Sequence, residues 1–599
     1  MQASLVRELS HEVENLFPGL FGQDLGGLTP AFQPTNPEFE GDITLVVFSV
    51  VKRTGKNPEE AARLLGEALL ASSTLVEAFQ VVKGFLNITL SAAYWHREMN
   101  ALLGQGGTGL SAASNPEKKM QKVLVEYSSP NTNKPLHLGH VRNILLGYSV
   151  AELHKAVGKE VARVNVVNDR GVHICKSMLA YQRFGHGESP QSSGMKGDHL
   201  VGHYYVVFDT ELKKEIKTLV DQGKTAEEAA RMAPLMLEVQ DMLRKWEAND
   251  PEIRALWTEM NTWVYEGFNQ TYAMLGVGFE KIYYESETYL LGKQLVQDGL
   301  QKGVMTQDAD GSVWIDLTAD GLDRKLVQRS DGTSVYITQD LGTALLRFRE
   351  FQFSEMVYVV GNEQDYHFKV LFLILKKLGF DWASGLSHLS YGMVELPDGK
   401  MKSREGNVVD ADDLIGEMVE AARETTQALG KLENFEGEEA QRLYHMLAMG
   451  ALKYFILKVD PKKKMLFDPK ESIDFQGNTG PFIQYTHARI QSVMRKAGDL
   501  THAFMPTSVD FSPEEKPVMR ALLAYPTTVA SAARNQSPAE VAQFCYDLAR
   551  AYNHFYHVCP VLKEEDPGKR LFRVFLSEKT GAILKEAMAL LGIEVPNRM

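Results

Sequence analysis

Cysteine is scarce in this sequence. The 599 residues include Cys175, Cys545 and Cys559, and no two of them have the CxxC spacing. Three cysteines cannot build the disulfide framework of small secreted domains. The missing CxxC pairs also argue against a cysteine-based structural zinc site. We therefore expect a cytoplasmic protein from a reducing compartment, without a structural metal.

Long apolar runs are also missing. The best candidate, residues 370–375, is followed directly by Lys376 and Lys377 and is far shorter than the ~18 residues that a membrane helix needs. Glu8 and Glu12 interrupt the N-terminal stretch, which has neither a basic start nor an apolar block. We therefore expect no secretory signal and no membrane partner.

The composition is that of a globular protein, with 44% hydrophobic and 24% charged residues, and it excludes a largely disordered chain. The net charge of −13 argues weakly against a nucleic-acid partner. Residues 441–500 nevertheless carry ten basic and five acidic side chains. Phosphate binding depends on the local field, so this segment keeps a nucleic-acid partner possible.

A strand–helix–strand pattern begins near residue 122. Residues 122–128 and 160–167 have strand character, and the helical pattern 136–157 joins them. A similar strand and helix return at 355–360 and 367–377. Strands joined by helices of this length form parallel sheets with right-handed crossovers. The pattern predicts an α/β, Rossmann-like domain.

The flanking segments predict a multidomain chain. Residues 1–112 alternate helical and strand patterns and form an N-terminal α+β module. Residues 113–430 form the Rossmann-like domain, with a helical insertion at about 185–275. Residues 431–599 have few strand signals and predict an all-α C-terminal domain.

The segment NTNKPLHLGHVR, residues 131–142, lies between the first strand and its helix. Open α/β sheets bind ligands at such strand ends, and a helix N-terminus suits phosphate. His137 and His140 share one helix face, Gly139 would let a flat base approach the backbone, and Lys134 adds a positive charge. Two other interpretations stay open: an ordinary helix start, or an HxxH metal site that lacks an obvious third ligand.

A second polar segment, GKMKSREGNVV, spans residues 399–409. Lys400, Lys402, Ser403 and Arg404 lie close together between glycines. Such a loop could close over a polyphosphate and neutralise charge on a leaving pyrophosphate. A solvated basic turn is the alternative.

These segments resemble a known family. HLGH and KMKSR are similar to the HIGH and KMSKS signatures of class I aminoacyl-tRNA synthetases. Longer strings resemble the arginyl members of that family: VEYSSPNTNKPLHLGHVRN (125–143), YITQDLG (336–342), VVGNEQDYHF (359–368), FQGNTGPFIQYTHARI (475–490) and LGIEVPNRM (591–599). The resemblance covers nearly the whole chain.

The resemblance implies an arginine–tRNA ligase. Arginine and ATP would give arginyl-adenylate and pyrophosphate, and the arginyl group would pass to the terminal adenosine of tRNA(Arg). Mg²⁺ would accompany ATP, and the chain would act as a monomer. The family's ATP site maps onto these residues of the two signatures: His137, Gly139, His140, Lys400, Met401, Lys402 and Ser403.

One departure concerns the second signature. The family's KMSKS loop has a lysine in the fourth place, where this sequence has Ser403, and a serine in the third, where it has Lys402. Arginyl members often have a degenerate loop and use the lysine before HIGH instead, which implies a role for Lys134. The expected catalytic set is therefore His137, His140, Lys134 and Lys400.

An arginine substrate needs a carboxylate fork for its planar guanidinium. Tyr336 and Asp340 are four residues apart and would face one way on a helix, so the ring could pack on the guanidinium that the acid binds. From the residues alone, Asp340 could instead decorate a first turn capped by Thr338. The resemblance favours a pocket formed by Glu126, Asn131, Glu285, Tyr336, Asp340 and Gln364, in which Glu126 and Asn131 hold the α-amino end. Glu287 stays open as the alternative to Glu285.

In the C-terminal region, residues 484–495 mix aromatic, cationic and amide side chains, among them Gln484, Tyr485, Arg489 and Arg495. Such a mixture suits unstacked anticodon bases, and a buried helix with a polar edge is the alternative. The resemblance implies tRNA binding here and by the N-terminal module.

Two other functions are weighed against the ligase. A non-catalytic tRNA-binding relative would be expected to lose the ATP motifs, but His137, Gly139, His140 and Lys400 are all present. A class I synthetase for another amino acid would not need Tyr336 and Asp340.

Overall fold

The fold is described from a computed structural model that covers residues 3–36, 38–104, 121–395, 409–428, 437–500 and 509–599. The expected phosphate-covering residues Lys400, Met401, Lys402 and Ser403 lie outside the described residues.

The N-terminal module packs helices against a four-stranded antiparallel sheet, whose order is β1-β2-β4-β3. In its first helix, Leu5, Leu9, Val13 and Phe17 recur every fourth residue and are all buried, as expected for one helix face on a core. The elements are α1 (Ala3–Phe21), β1 (Ala31–Pro34), β2 (Ile43–Val46), α2 (Pro58–Ser72), β3 (Val76–Val82), β4 (Phe85–Leu90) and α3 (Ala92–Gly104).

The second unit begins with the predicted strand–helix–strand and continues into a wholly helical insertion. Its first elements are β5 (Lys122–Glu126), α4 (Leu138–Ala156), β6 (Glu160–Val167) and α5 (Val172–Phe184). The insertion then contains α6 (Pro190–Ser193), α7 (Gly197–Asp221), α8 (Ala226–Met232), α9 (Pro234–Glu247) and α10 (Pro251–Met274).

After the insertion the chain returns to the sheet through elements that carry most of the polar residues discussed below. They are β7 (Lys281–Tyr284), α11 (Glu285–Thr288), α12 (Lys293–Gln301), β8 (Thr306–Gln307), β9 (Val313–Ile315), β10 (Lys325–Gln328), α13 (Tyr336–Phe351), β11 (Glu355–Gly361), α14 (Asp365–Lys377), β12 (Leu386–Tyr391) and β13 (Val394–Glu395). Strands β8 to β10 form a small separate sheet.

The central sheet has five strands in the order β12-β11-β5-β6-β7, and every neighbouring pair is parallel. The two neighbours of β5, β6 and β11, run parallel to it and are therefore reached by crossover connections, as the sequence pattern predicts. All carboxyl ends lie at one edge of the sheet, which is where open α/β sheets bind ligands.

Where the structure describes it, the C-terminal part is helical except for one short strand. Its elements are α15 (Ala411–Ala428), α16 (Gly437–Leu457), β14 (Met465–Leu466), α17 (Pro469–Ser472), α18 (Gly480–Ala497), α19 (Glu515–Asn535), α20 (Pro538–Val558) and α21 (Pro567–Leu590). Strand β14 pairs with β13, and α16, α19, α20 and α21 pack on α4.

Helix α4 packs against both the central sheet and the C-terminal helices. Val141, Ile144, Leu145, Val150 and Leu153 are all buried although they point in several directions around the helix. A helix that is apolar on every side must be enclosed, and α4 lies between the sheet and the C-terminal helices. None of the helices in the described part of the chain combines the length and apolar character that a membrane crossing requires.

Candidate active site

The HLGH segment forms the first turn of α4. His137 is the N-cap: its Nδ1 accepts a hydrogen bond from the Gly139 backbone N–H at 3.1 Å. The His140 Nδ1 accepts from the His137 backbone N–H, also at 3.1 Å. The two ring centroids are 3.8 Å apart. This reciprocal capping satisfies free N–H groups at the helix start and holds the imidazoles side by side.

Burial and nearby charge keep both rings neutral, and the capping hydrogen bonds decide which nitrogen of each ring carries the proton. Burial, together with the charge of Lys134, lowers the pKa of His137 to about 4. Burial, the neighbouring His137 and Lys134 lower the pKa of His140 well below its ordinary value. Both rings are therefore neutral at pH 7. Because each Nδ1 accepts a hydrogen bond, each ring carries its proton on Nε2 and presents a neutral donor.

Lys134 supplies the positive charge of this site. Burial lowers the pKa of its amine. Within the described ranges, no carboxylate lies within salt-bridge distance of the Lys134 amine. The positive charge of Lys134 lowers the pKa of both His137 and His140. An unpaired, partly buried ammonium beside two N–H donors can bind a phosphate oxygen.

The chain on either side of residues 396–408 lies next to the HLGH turn. Leu138 donates its backbone N–H to Val409 at 3.1 Å, and Ala411 donates to Leu136 at 2.9 Å. On the other side, the buried Arg142 donates to the carbonyls of Pro461 and Lys463 at 3.1 and 2.8 Å, beside the β13–β14 pair. Strand β13 and residues 409–411 thus both lie near α4.

A cavity of about 190 Å³ lies close by, at the carboxyl edge of the sheet. Four of the residues expected to bind arginine line it: Glu126, Glu285, Tyr336 and Asp340. Ser129 also lines it and belongs to the same β5–α4 connection as His137. The acid-lined cavity and the histidine pair therefore both have residues on this loop.

Two consecutive serines shape this loop. Ser128 and Ser129 have φ values of 77° and 45°, in the left-handed region that non-glycine residues rarely adopt. Asn143 accepts a hydrogen bond from the Ser128 N–H at 2.5 Å, and Asn165 accepts one from the Ser129 N–H at 2.9 Å. Such strain persists only where the surroundings fix it, often at functional sites.

Of the two candidate acids, Glu285 lines the cavity and Glu287 is exposed outside it. Burial raises the pKa of Glu285 to about 7; the positive charge of Arg170 opposes this, and the charges of Asp169 and Asp340 add to it. A cation bound between Glu285 and Asp340 would relieve their repulsion.

Asp340 lies one turn into α13, which begins at Tyr336 after Val335 as N-cap. Thr338 is therefore inside the helix, and its hydroxyl bonds to the Val327 carbonyl. The Asp340 Oδ2 is 2.7 Å from the Nε2 of His367. The Tyr336 ring is 78% exposed and forms part of the rim, where it can cover a ligand.

Glu126 lies on the cavity floor and forms a buried ion pair with Arg347. Asn131 is exposed and forms a β-bridge with Asn168, which does line the cavity. Gln364 is exposed in the short 3₁₀ turn Asn362–Gln364 and is not among the residues that line the cavity.

Asp169 is a site residue that sequence reasoning missed. It is 1% exposed and accepts hydrogen bonds from the Ser286 N–H and hydroxyl at 2.8 and 2.7 Å and from the Tyr265 hydroxyl at 2.9 Å. It thereby joins the insertion helix α10 to the turn that carries Glu285. The NDRG run after the second strand was the available signal, but its partners are distant in sequence. Arg347 and His367 were missed for the same reason.

The predicted anticodon residues lie on α18 in different surroundings. Gln484 is fully buried, and its amide donates to the carbonyls of Met446 and Glu594 at 3.0 and 2.8 Å. It therefore holds the C-terminal tail and does not face solvent. Arg489 lies 5.0 Å from the ring centroid of the half-buried Tyr485. Arg495 is exposed and donates to the Asn597 carbonyl at 2.9 Å.

One acidic cluster in the described residues has ligand atoms close enough for a metal ion: Asp198, His199 and Asp412. The amine of Lys196 lies 2.5 Å from Asp412 and 3.3 Å from Asp198. The Lys196 ammonium already supplies the positive charge that the two carboxylates need. We therefore interpret the cluster as an ion-pair network that joins the insertion to the start of α15.

Comparison with known proteins relates this arrangement to a family. Residues 99–468 match the catalytic domain of class I (R) tRNA synthetases, and residues 483–599 match the DALR anticodon binding domain. The arginine–tRNA ligase of Flavobacterium psychrophilum is 57% identical over 95% of this chain and 96% of its own length. That of Bacteroides fragilis is 54% identical over 97% of each chain.

Solved structures show the same fold. The arginyl-tRNA synthetase of Thermus thermophilus aligns over 100% of both chains with a TM-score of 0.78 at 24% identity. That of Plasmodium falciparum aligns over 99% of both with a TM-score of 0.76 at 21% identity. The predicted fold class, a parallel-sheet catalytic domain with a helical anticodon-binding domain, is confirmed. The full-length identity to curated relatives shows that this chain belongs to the arginine–tRNA ligases, the arginyl branch of the class I aminoacyl-tRNA synthetases.

Proposed function

We propose that this chain joins L-arginine to tRNA(Arg) in two steps. The arginine carboxylate attacks the α-phosphate of ATP, which forms arginyl-adenylate and releases pyrophosphate. A hydroxyl of the tRNA's terminal adenosine then attacks the arginyl carbonyl and releases AMP. The observation that carries this proposal is an acid-lined cavity and a neutral histidine pair that the β5–α4 loop connects, since Ser129 of this loop lines the cavity and His137 ends the loop.

In the first step, the chain positions ATP and stabilises charge without a covalent enzyme intermediate. The Nε2–H groups of His137 and His140 donate to phosphate oxygens, and Gly139 leaves room for the adenine. Lys134 provides a positive charge for the pentacoordinate phosphorus and compensates for the serine at position 403. By resemblance to the family's second signature, Lys400, Met401, Lys402 and Ser403 are assigned to the outer phosphates. Mg²⁺ arrives with the triphosphate, and none of the described residues is assigned to it.

Arginine enters the cavity with its guanidinium between Glu285 and Asp340. Both carboxylates accept from its N–H groups, which are always charged donors, and the Tyr336 ring covers the planar face. Glu126 and Asn131 face the α-amino end, and Gln364 closes over the ligand from its exposed turn. Glu285 and Asp340 thereby select a ligand whose side chain is permanently positively charged.

tRNA binding is assigned to the C-terminal helices and the N-terminal module. Tyr485, Arg489 and Arg495 offer a ring and two cations to anticodon bases and phosphates, while Gln484 supports the tail beneath them. The working domain limits are 1–112, 113–430 and 431–599. We propose that the enzyme acts as a monomer in the cytoplasm.

The test is pyrophosphate exchange with each of the twenty amino acids, with and without total tRNA. Arginine should drive exchange best, and Asp340→Asn should weaken that preference because it removes a charge that only a cationic ligand needs. Exchange driven best by another amino acid would overturn the proposal.

A further inference from the structure

We propose that His367 is a specificity-determining positioning residue: it fixes the carboxylate of Asp340 for guanidinium recognition. The inference rests on the proposed function, since it takes Asp340 as a ligand of the arginine side chain. His367 does not line the cavity, so it acts through Asp340.

The contact between the two residues is direct. The His367 Nε2 lies 2.7 Å from the Asp340 Oδ2, a short distance for an N–H···O bond. The other oxygen of the carboxylate, Oδ1, has no hydrogen-bond partner among the residues that the structure describes. One oxygen is therefore anchored and the other is available to a ligand.

Anchoring matters because Asp340 is not otherwise confined. Its side chain is 45% exposed, so without a partner it would rotate among several rotamers. Ordering such a side chain at the moment of binding costs affinity, and a partner that orders it beforehand removes that cost. A planar guanidinium has N–H groups in fixed directions, which makes the orientation of its acceptor important.

His367 is itself held by its surroundings. It lies in the first turn of α14, next to Phe368, whose ring meets the His367 ring edge-on with centroids 5.7 Å apart. Phe368 lines the cavity and packs 5.0 Å from the Tyr358 ring. The side chain of His367 is 29% exposed, half enclosed between α13 and α14. Phe368, in the cavity wall, thus helps to position His367, which in turn positions the carboxylate of Asp340.

The experiment compares His367→Leu with His367→Gln in the full-length enzyme. Leucine removes the hydrogen bond at similar volume, whereas the glutamine amide can place a donor near the position of Nε2. Initial rates of pyrophosphate exchange, with tRNA present throughout, give KM for arginine and KM for ATP separately. A matched control is His173→Leu, which removes an exposed histidine on α5 that contacts Tyr205 of the insertion.

The expected result is a split between the two substrates. Losing one hydrogen bond to a charged group should raise KM for arginine about tenfold in His367→Leu, while KM for ATP changes less than about twofold. His367→Gln should recover most of the arginine affinity, and His173→Leu should behave like the wild type. Equal increases in both KM values, or no recovery with glutamine, would overturn the inference, because a general loss of structure would then explain the effect.

Asp340→Asn separates this inference from the proposed function. If Asp340→Asn raises KM for arginine and His367→Leu does not, the pocket stands and the role of His367 fails. If Asp340→Asn has no effect, the proposed role of Asp340 fails first. In the double variant the two effects should not add, because His367 acts only through Asp340. Additive effects would overturn the inference.

Discussion

Arg347 on α13 forms an ion pair with Glu126, the last residue of β5, in the interior of the protein. The two residues are 2% and 7% exposed. Burial works against the charge of Arg347, but Glu126 and the phenols of Tyr358 and Tyr283 outweigh it, and the pKa of Arg347 lies above its ordinary value. The guanidinium of Arg347 thus forms part of the lining of the cavity that we propose for the guanidinium of the arginine substrate.

Breaking this pair from one side should destabilise the protein. Arg347→Met leaves the Glu126 carboxylate buried and unpaired, which should cost about 3–5 kcal/mol in free energy of unfolding. Adding Glu126→Gln removes the stranded charge, so the double variant should recover part of that loss. Urea unfolding of both single variants and the double variant measures the coupling. Effects that simply add would contradict a direct pair.

Glu285 and Glu287 provide a matched comparison. Glu285→Gln removes an acid that lines the cavity and should weaken arginine binding by about 1.5–3 kcal/mol, a ten- to hundredfold increase in KM for arginine. Glu287→Gln changes the same group two residues away, on the exposed side, and should change KM less than about twofold. Steady-state exchange kinetics decide the assignment, and a larger effect at Glu287 would reverse it.

Arginine binding should depend on pH through Glu285. Its pKa of about 7 in the free enzyme means that the carboxyl is mostly protonated below pH 7 and ionised above it. The guanidinium stays charged throughout and binds the ionised form. KM for arginine should therefore rise as pH falls below about 7, approaching tenfold per unit. Profiles between pH 5.5 and 8 test this, and Glu285→Gln should remove most of the slope. A wild-type profile that is flat across pH 7 would argue against the assignment.

His137 separates helix capping from phosphate binding because the two tasks use different nitrogens. His137→Asn keeps an acceptor near the position of Nδ1, so the cap and the stability should be preserved, but the Nε2–H donor is lost. His137→Gln keeps a donor near Nε2 and loses the cap, which should cost about 1 kcal/mol of stability. We expect the larger fall in kcat for exchange in His137→Asn. Thermal unfolding and exchange rates on both variants provide the test, and equal losses in each would show that the two tasks are not separable.

Lys134 should contribute to adenylate formation. Lys134→Ala should lower kcat for exchange by roughly 10²-fold or more, about 2.7 kcal/mol, if the amine contacts the transition state. Lys122→Ala, at the opposite end of β5, is the control, since its exposed amine pairs with Glu160, away from the HLGH turn. A rate within about threefold of wild type in Lys134→Ala would show that another group supplies the charge.

Local patterns predicted much of this architecture. The alternation of strands and helices around residues 122–167 is a short-range property, and it correctly predicted a parallel sheet. That a ligand binds at the HLGH end of this sheet stays a prediction. Asp340 was expected one turn into a helix from Tyr336 onwards, and α13 begins there. Gln484 shows the limit of such patterns: the mixture of aromatic and cationic residues left open both contact with anticodon bases and a buried helix with a polar edge, and Gln484 itself is buried against the C-terminal tail.

The sequence by itself determined the family, a helix that begins within HLGH and the placement of Tyr336 and Asp340 on one helix face, because each depends on residues that are close together in the chain. Only the tertiary structure decided which acids line the cavity. It also decided that Arg347 forms an ion pair with Glu126 and that His367 contacts the carboxylate of Asp340. These pairs are separated by 221 and 27 positions. Their contacts arise only when parallel strands and their crossover helices bring distant segments to one edge of the sheet.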